Sequence, residues 1–79
     1  MKLEIITPEK KLFVGEVSMV RVPGTLGSFQ ILKNHAPIVS TLSKGSVIIR
    51  KTDNTEIIFE INNGLIECNK NVINILVES

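Results

Sequence analysis

Residues 46–61 read SVIIRKTDNTEIIFEI, two short apolar runs on either side of a polar tetrad. In the second run Ile57, Phe59 and Ile61 share one phase, and Glu56, Ile58 and Glu60 share the other. Period-two alternation places such sets on opposite faces of a strand, and the glutamates mark the outward one. In the first run Val47 and Ile49 point inward, with Ser46, Ile48 and Arg50 outward. Lys51-Thr52-Asp53-Asn54 between them is turn chemistry. The stretch predicts two strands, at 46–51 and 55–61, and excludes a helix of the same length.

The rest of the chain repeats the theme. Twelve Ile and eight Val dominate its apolar residues, against a single Ala. β-branched side chains suit a pleated surface and lose rotamer freedom in a helix. Thr7-Pro8-Glu9-Lys10, Gly15, Pro23-Gly24, Lys33-Asn34-His35, Lys44-Gly45, Asn63-Gly64 and Asn69-Lys70-Asn71 punctuate it. That spacing belongs to a sandwich or barrel of short strands. Strands are expected near 2–7, 11–15, 16–22, 28–32, 36–42 and 72–78, with Gly15 as a break. Asn63-Gly64 carries the strongest two-residue hairpin signal, since both residues tolerate positive φ. In the final strand Ile73, Ile75 and Val77 face inward, as do Ile66 and Cys68 before it. The fold class is all-β, a flattened sandwich or barrel of about 8–10 short strands, formed by residues 1–79 as one domain.

Composition narrows the function. Net charge is +1 and only three Phe represent the aromatics, which argues against nucleic acid. One Cys and one His exclude an internal disulfide and a Cys/His zinc site. A chain of 79 residues makes a small core, and small cores lean on disulfides, metals or partners. A protein partner is what elimination leaves. No apolar run reaches the roughly 18 residues of a membrane span, and no secretory leader is visible, so the cytoplasm is expected.

Ile6, Met19, Ile48, Ile58 and Leu76 break the alternation by lying on faces whose other members are polar. Clustered, they would form a protein-binding patch. Two-sided burial in a closed barrel accounts for them equally well.

Candidate chemistry is sparse. In PGTLGSF, residues 23–29, the glycines resemble a phosphate loop, but the Lys-Ser/Thr and the following helix are missing. A glycine turn is the simpler reading. His35 has Ser40 and Ser43 near it in sequence but no acid between Glu16 and Asp53, so it reads as a turn residue. Glu56 and Glu60 lie about 13 Å apart along one strand, too far to work as a catalytic pair. Cys68 reads as a small buried hydrophobe. No enzyme, cofactor or metal is expected.

The segments LEIITPEKKLFVGEV (3–17), VRVPGTLGSFQIL (20–32), NHAPIVSTL (34–42), KGSVIIR (44–50) and FEINNGLIECNKNVINIL (59–76) together resemble the N-terminal β domain of the epsilon subunit of bacterial F-type ATP synthase. The resemblance covers the whole chain. It implies a sandwich of about ten strands (a family feature) in the rotating central stalk, between the gamma subunit and the c-ring. It implies that Thr25, Leu26, Gly27, Ser28 and Phe29 face the c-ring. The acid that family members often hold in that loop is replaced here by Leu26 and Ser28. It further implies that Leu12, Phe13, His35, Val39 and Ser40 face gamma. The helical hairpin that follows in full-length members, and inhibits ATP hydrolysis, is absent from the sequence. The expected role is a non-catalytic coupling subunit without a helical brake, peripheral to the cytoplasmic face of a bacterial membrane. The alternative is a freestanding β-barrel adaptor that binds a protein partner by strand addition.

Overall fold

The computed structural model describes residues 1–78. Eight strands account for them: β1 (Lys2–Ile6), β2 (Lys11–Val22), β3 (Phe29–Leu32), β4 (Ile38–Leu42), β5 (Gly45–Lys51), β6 (Glu56–Ile61), β7 (Asn63–Asn69) and β8 (Val72–Glu78). The hydrogen-bonded order is β4-β7-β8-β1-β2-β5-β6, with β3 also pairing to β2. No helix is present among the described residues.

The sheet folds over on itself through β2, which serves two layers. Its first half pairs with β1, as in Ile5↔Phe13. Its second half pairs with β3 and β5, as in Val20↔Ile31 and Val20↔Ile49. Between Val17 and Met19 the register shifts by a bulge, and bulged strands bend and twist more strongly. Layer one is therefore β4, β7, β8, β1 and the start of β2; layer two is β3, the rest of β2, β5 and β6.

The core fills the space between the layers. Leu3, Ile5, Ile66, Ile73, Ile75 and Val77 come from layer one, and Val20, Val22, Ile31, Val47 and Ile49 from layer two, all buried. Among the described residues no polar or charged one is buried with them. The inward sets read from alternation are those found inside: Val47 and Ile49, Ile73, Ile75 and Val77, Ile66 and Cys68. Ile61 is buried, and Ile57 and Phe59 are half-buried against the core.

Three local expectations fail. Gly15 does not break a strand; β2 runs through it, with the Phe13 ring lying over the bare Cα. With this merger the count is eight, within the expected 8–10. Asn63-Gly64 makes no hairpin. Neither residue has positive φ, and β6 pairs with β5 while β7 pairs with β4 and β8. The pair starts β7 as the chain crosses between layers. Glycine is needed there for space: a Cβ would come within 2.7 Å of the Leu76 carbonyl oxygen. Met19 is only 6% exposed although its phase is outward, held in register between Leu32 and Arg50. The turn at Asn69-Lys70-Asn71 does join a hairpin, β7 to β8, with Lys70 at φ 52° and Asn71 at φ 62°.

Candidate interaction surfaces

Strand register places alternate apolar residues of layer one side by side on its outer face. Ile6 of β1 lies opposite Leu76 of β8, Leu76 opposite Leu65 of β7, and Leu65 opposite Thr41 of β4. The adjacent row is Glu4, Asn74, Glu67 and Val39. Val39, Leu76 and Leu65 are 66%, 45% and 43% exposed. Between the rows runs a shallow groove of about 240 Å³, apolar along its floor and with Glu4 and Glu67 at its edge. Glu4 is paired with Lys11 at 3.5 Å. An apolar row three strands wide on a sheet face is the kind of surface that a partner covers.

The stray apolar residues thus form two groups. Ile6 and Leu76 join this row. Ile48 and Ile58 pair with each other on the outer face of layer two, beside the Arg50–Glu56 ion pair at 2.9 Å. Leu65 was not singled out from the sequence. Its signal was available in GLIEC, where it shares the outward phase with Glu67.

A second surface lies at the Pro23–Ser28 loop. Leu26 at its tip is fully exposed. Gly27 adopts φ 130° and its N–H donates to the Gly24 carbonyl at 2.9 Å, a conformation open to glycine. A Cβ on Gly24 would sit 2.8 Å from the Phe29 ring. The loop is tied to β4: Thr25 N–H donates to the Thr41 carbonyl at 3.1 Å, and the two threonine hydroxyls lie 2.9 Å apart. Leu26, Gly27, Ser28 and Phe29 share a groove of about 460 Å³ with Ile38, Val39 and Ser40.

The remaining residues are placed as follows. Phe13, opposite Ile5, packs half-buried against the core, as does Leu12. Val39 and Ser40 stand on β4, and β7, β8 and β1 separate that edge from β2. The five residues Leu12, Phe13, His35, Val39 and Ser40 therefore do not share one patch. Of these Val39 has the most open side chain. His35 lies in the loop before β4, its Nδ1 2.7 Å from the Ala36 carbonyl oxygen. That loop is clasped to the β7–β8 turn: Asn34 N–H donates to Asn71 Oδ1 at 2.7 Å, and Asn71 Nδ2 donates to Asn34 Oδ1 at 3.0 Å.

The carboxylates and the thiol singled out from the sequence are placed as follows. Glu56 is engaged by Arg50 and Glu60 by Ser46. Burial pushes the Cys68 thiol pKa up, so the thiol stays protonated and unreactive. No group of three His, Cys, Asp or Glu side chains able to hold a metal occurs among the described residues.

Two packed strand layers with partly exposed apolar side chains on the outer face of one of them define a β-sandwich. The chain belongs to the family of ATP synthase delta/epsilon chain beta-sandwich domains, which matches residues 1–79. It is 43% identical over 77 residues to the ATP synthase epsilon chain of Chlorobium limicola, covering 98% of this chain and 88% of that one. It is 42% identical over 78 residues to the epsilon chain of Leptospira interrogans, covering 99% of this chain and 61% of that relative's length. Its fold is similar to that of a chain in the Euglena gracilis mitochondrial ATP synthase F1/c-ring assembly, with a TM-score of 0.91 at 18% identity. That match covers 98% of this chain and 49% of the Euglena one.

Proposed function

We propose that residues 1–79 act as one non-catalytic unit of the rotor of an F-type ATP synthase. The unit links the gamma subunit to the c-ring and helps couple ion flow to ATP synthesis. The observation that carries this reading is the outer row Ile6–Leu76–Leu65 with Val39 beside it. In this reading gamma covers that row. Completing the burial of four half-exposed apolar side chains is worth roughly 3–4 kcal/mol, a useful share of an interface and a supplement to a small core.

The gamma contact therefore centres on Val39, Leu65, Leu76 and Ile6, with His35 and Ser40 at its margin and Phe13 supporting it from within. Thr25–Phe29 meet the c-ring. Torque passes through the domain because a close-packed interior compresses little. In a bacterium the site of action is the cytoplasmic face of the plasma membrane, reached through the complex. No helix among the described residues is long and apolar enough to cross a membrane.

The test is a pull-down of the tagged chain from its native membranes, read by mass spectrometry. Recovery of gamma, the c-ring and the catalytic head is the expected result. Recovery of an unrelated soluble protein with no synthase subunit would replace this reading with the adaptor.

A further inference from the structure

Asn63-Gly64 serves neither as a turn nor as a contact surface. It is the one place among the chain's seven asparagines where glycine follows, and that dipeptide has a chemistry of its own. With no Cβ on the second residue, the Gly64 backbone nitrogen is unobstructed and can attack the Asn63 side-chain amide carbon. The new N–C bond forms, the C–NH2 bond breaks, and ammonia leaves with the former Gly64 proton. Water then opens the cyclic imide at either carbonyl, giving aspartate or isoaspartate at position 63.

The native structure holds the pair away from that geometry. Asn63 and Gly64 are extended at the start of β7, where a side chain stands off the sheet while the next N–H lies within its plane. Gly64 sits between Val77 of β8 and Leu42 of β4. Asn63 Nδ2 donates to Glu78 Oε1 at 3.1 Å, and Asn62 N–H donates to the Glu78 carbonyl at 2.7 Å. Asn63 is nevertheless exposed, so water is at hand and conformation is the barrier.

We infer that Asn63-Gly64 is a latent deamidation site, closed while the crossover from β6 into β7 is seated in the sheet and open once it leaves. The product opposes refolding. Aspartate at 63 sets a second carboxylate against Glu78 where an amide donated, and like charges facing each other across a strand pair are destabilising. Isoaspartate lengthens the main chain by a methylene just before Gly64, where a Cβ would already come within 2.7 Å of the Leu76 carbonyl oxygen. Either product places its charge in the groove that Asn63 and Glu78 line with Leu65 and Leu76, at the end of the apolar outer row. A chain left unfolded is thereby marked, whatever partner that row serves.

The experiment incubates the full chain near neutral pH, folded and in guanidinium chloride, and reads Asn63 by peptide mass and an isoaspartate assay. Modification of the folded chain should be at least roughly tenfold slower, since it tracks the population of the open form. Glu78→Ala, which frees the amide, should speed the folded reaction severalfold and leave the unfolded one unchanged. Asn63→Asp should melt about 3–6 °C below the natural chain. Adding Glu78→Gln should restore most of that loss, because amide and carboxylate then exchange places. Equal rates in the two states overturn the inference, as does an unfolded chain whose other asparagines react before Asn63. So does a Glu78→Ala chain that reacts no faster when folded. An Asn63→Asp chain as stable as the natural one, or one that Glu78→Gln fails to rescue, overturns it too.

Discussion

Ile75 and Leu76 are neighbours on β8, and Ile66 and Leu65 are neighbours on β7. In each pair one side chain is buried and the other is more than two-fifths exposed. Composition does not separate them, since all four are large aliphatics. Their environments differ because successive side chains point to opposite faces of the strand. On the inner face Ile66 and Ile75 lie opposite each other under layer two; on the outer face Leu65 and Leu76 lie opposite each other under nothing. The lesson is that one sheet holds two apolar surfaces with different work to do. The inner one holds the domain together, and the outer one is free to hold something else.

The comparison breaks first on the inner side. Val47→Asp places an unpaired carboxylate where the side chain is wholly buried, at a cost above about 4 kcal/mol. The variant should be unfolded by circular dichroism, and a soluble folded Val47→Asp would mean that β5 faces the other way. Ile75→Ala removes buried methylenes and should cost about 2–5 kcal/mol, read from the urea midpoint. Its neighbour supplies the contrast. Leu76→Ser should change stability by less than about 1 kcal/mol yet weaken recovery of gamma in the pull-down. Equal destabilisation by the two would erase the distinction between the faces.

Phe13→Ser sharpens the same point. Phe13 packs against the core, so any loss of assembly should come with a lower melting temperature. Assembly lost at unchanged stability would return Phe13 to the contact surface itself.

The smallest effects are those of pH. Burial raises the Cys68 thiol pKa, so the folded chain keeps that proton to higher pH than the unfolded chain does. The stability tied to it is complete below the unfolded thiol's value and falls as pH rises past it. Cys68→Ala should flatten that alkaline slope, and a thiol reagent should label Cys68 only when the chain unfolds. Asp53 runs the other way. Hydrogen bonds from the Thr55 hydroxyl and N–H, with Lys51 nearby, lower its pKa. That fully exposed carboxylate helps the turn above its ordinary range and loses its effect as pH falls through the folded value. Asp53→Asn should leave the acid limb of a stability profile nearly unchanged.

Much of this was legible in the sequence where the physics is local. Alternation in TEIIFEI and VINILVE assigns faces without knowledge of any partner strand, and those faces are the ones found. Asn69-Lys70-Asn71 bends where turn chemistry says it should. The family resemblance was legible too, being carried by turns and strand ends in a set order.

What the chain could not disclose by itself was every property that depends on distant residues. Asn63-Gly64 has the composition of a hairpin turn, but whether two strands pair depends on where both sit in the sheet, and β7 finds its partners in β4 and β8. Gly15 looks like a break until the Phe13 ring covers it. Nothing local says that β1 and β8, from opposite ends of the chain, lie side by side in parallel. That pairing brings Ile6 beside Leu76 and turns isolated exceptions into a surface. Sequence alone determined the strand class and the face of most side chains, because these follow from side-chain chemistry and a two-residue period. Only tertiary structure decided which exposed residues touch, since strand order and register are set by the packing of the whole sheet against its core.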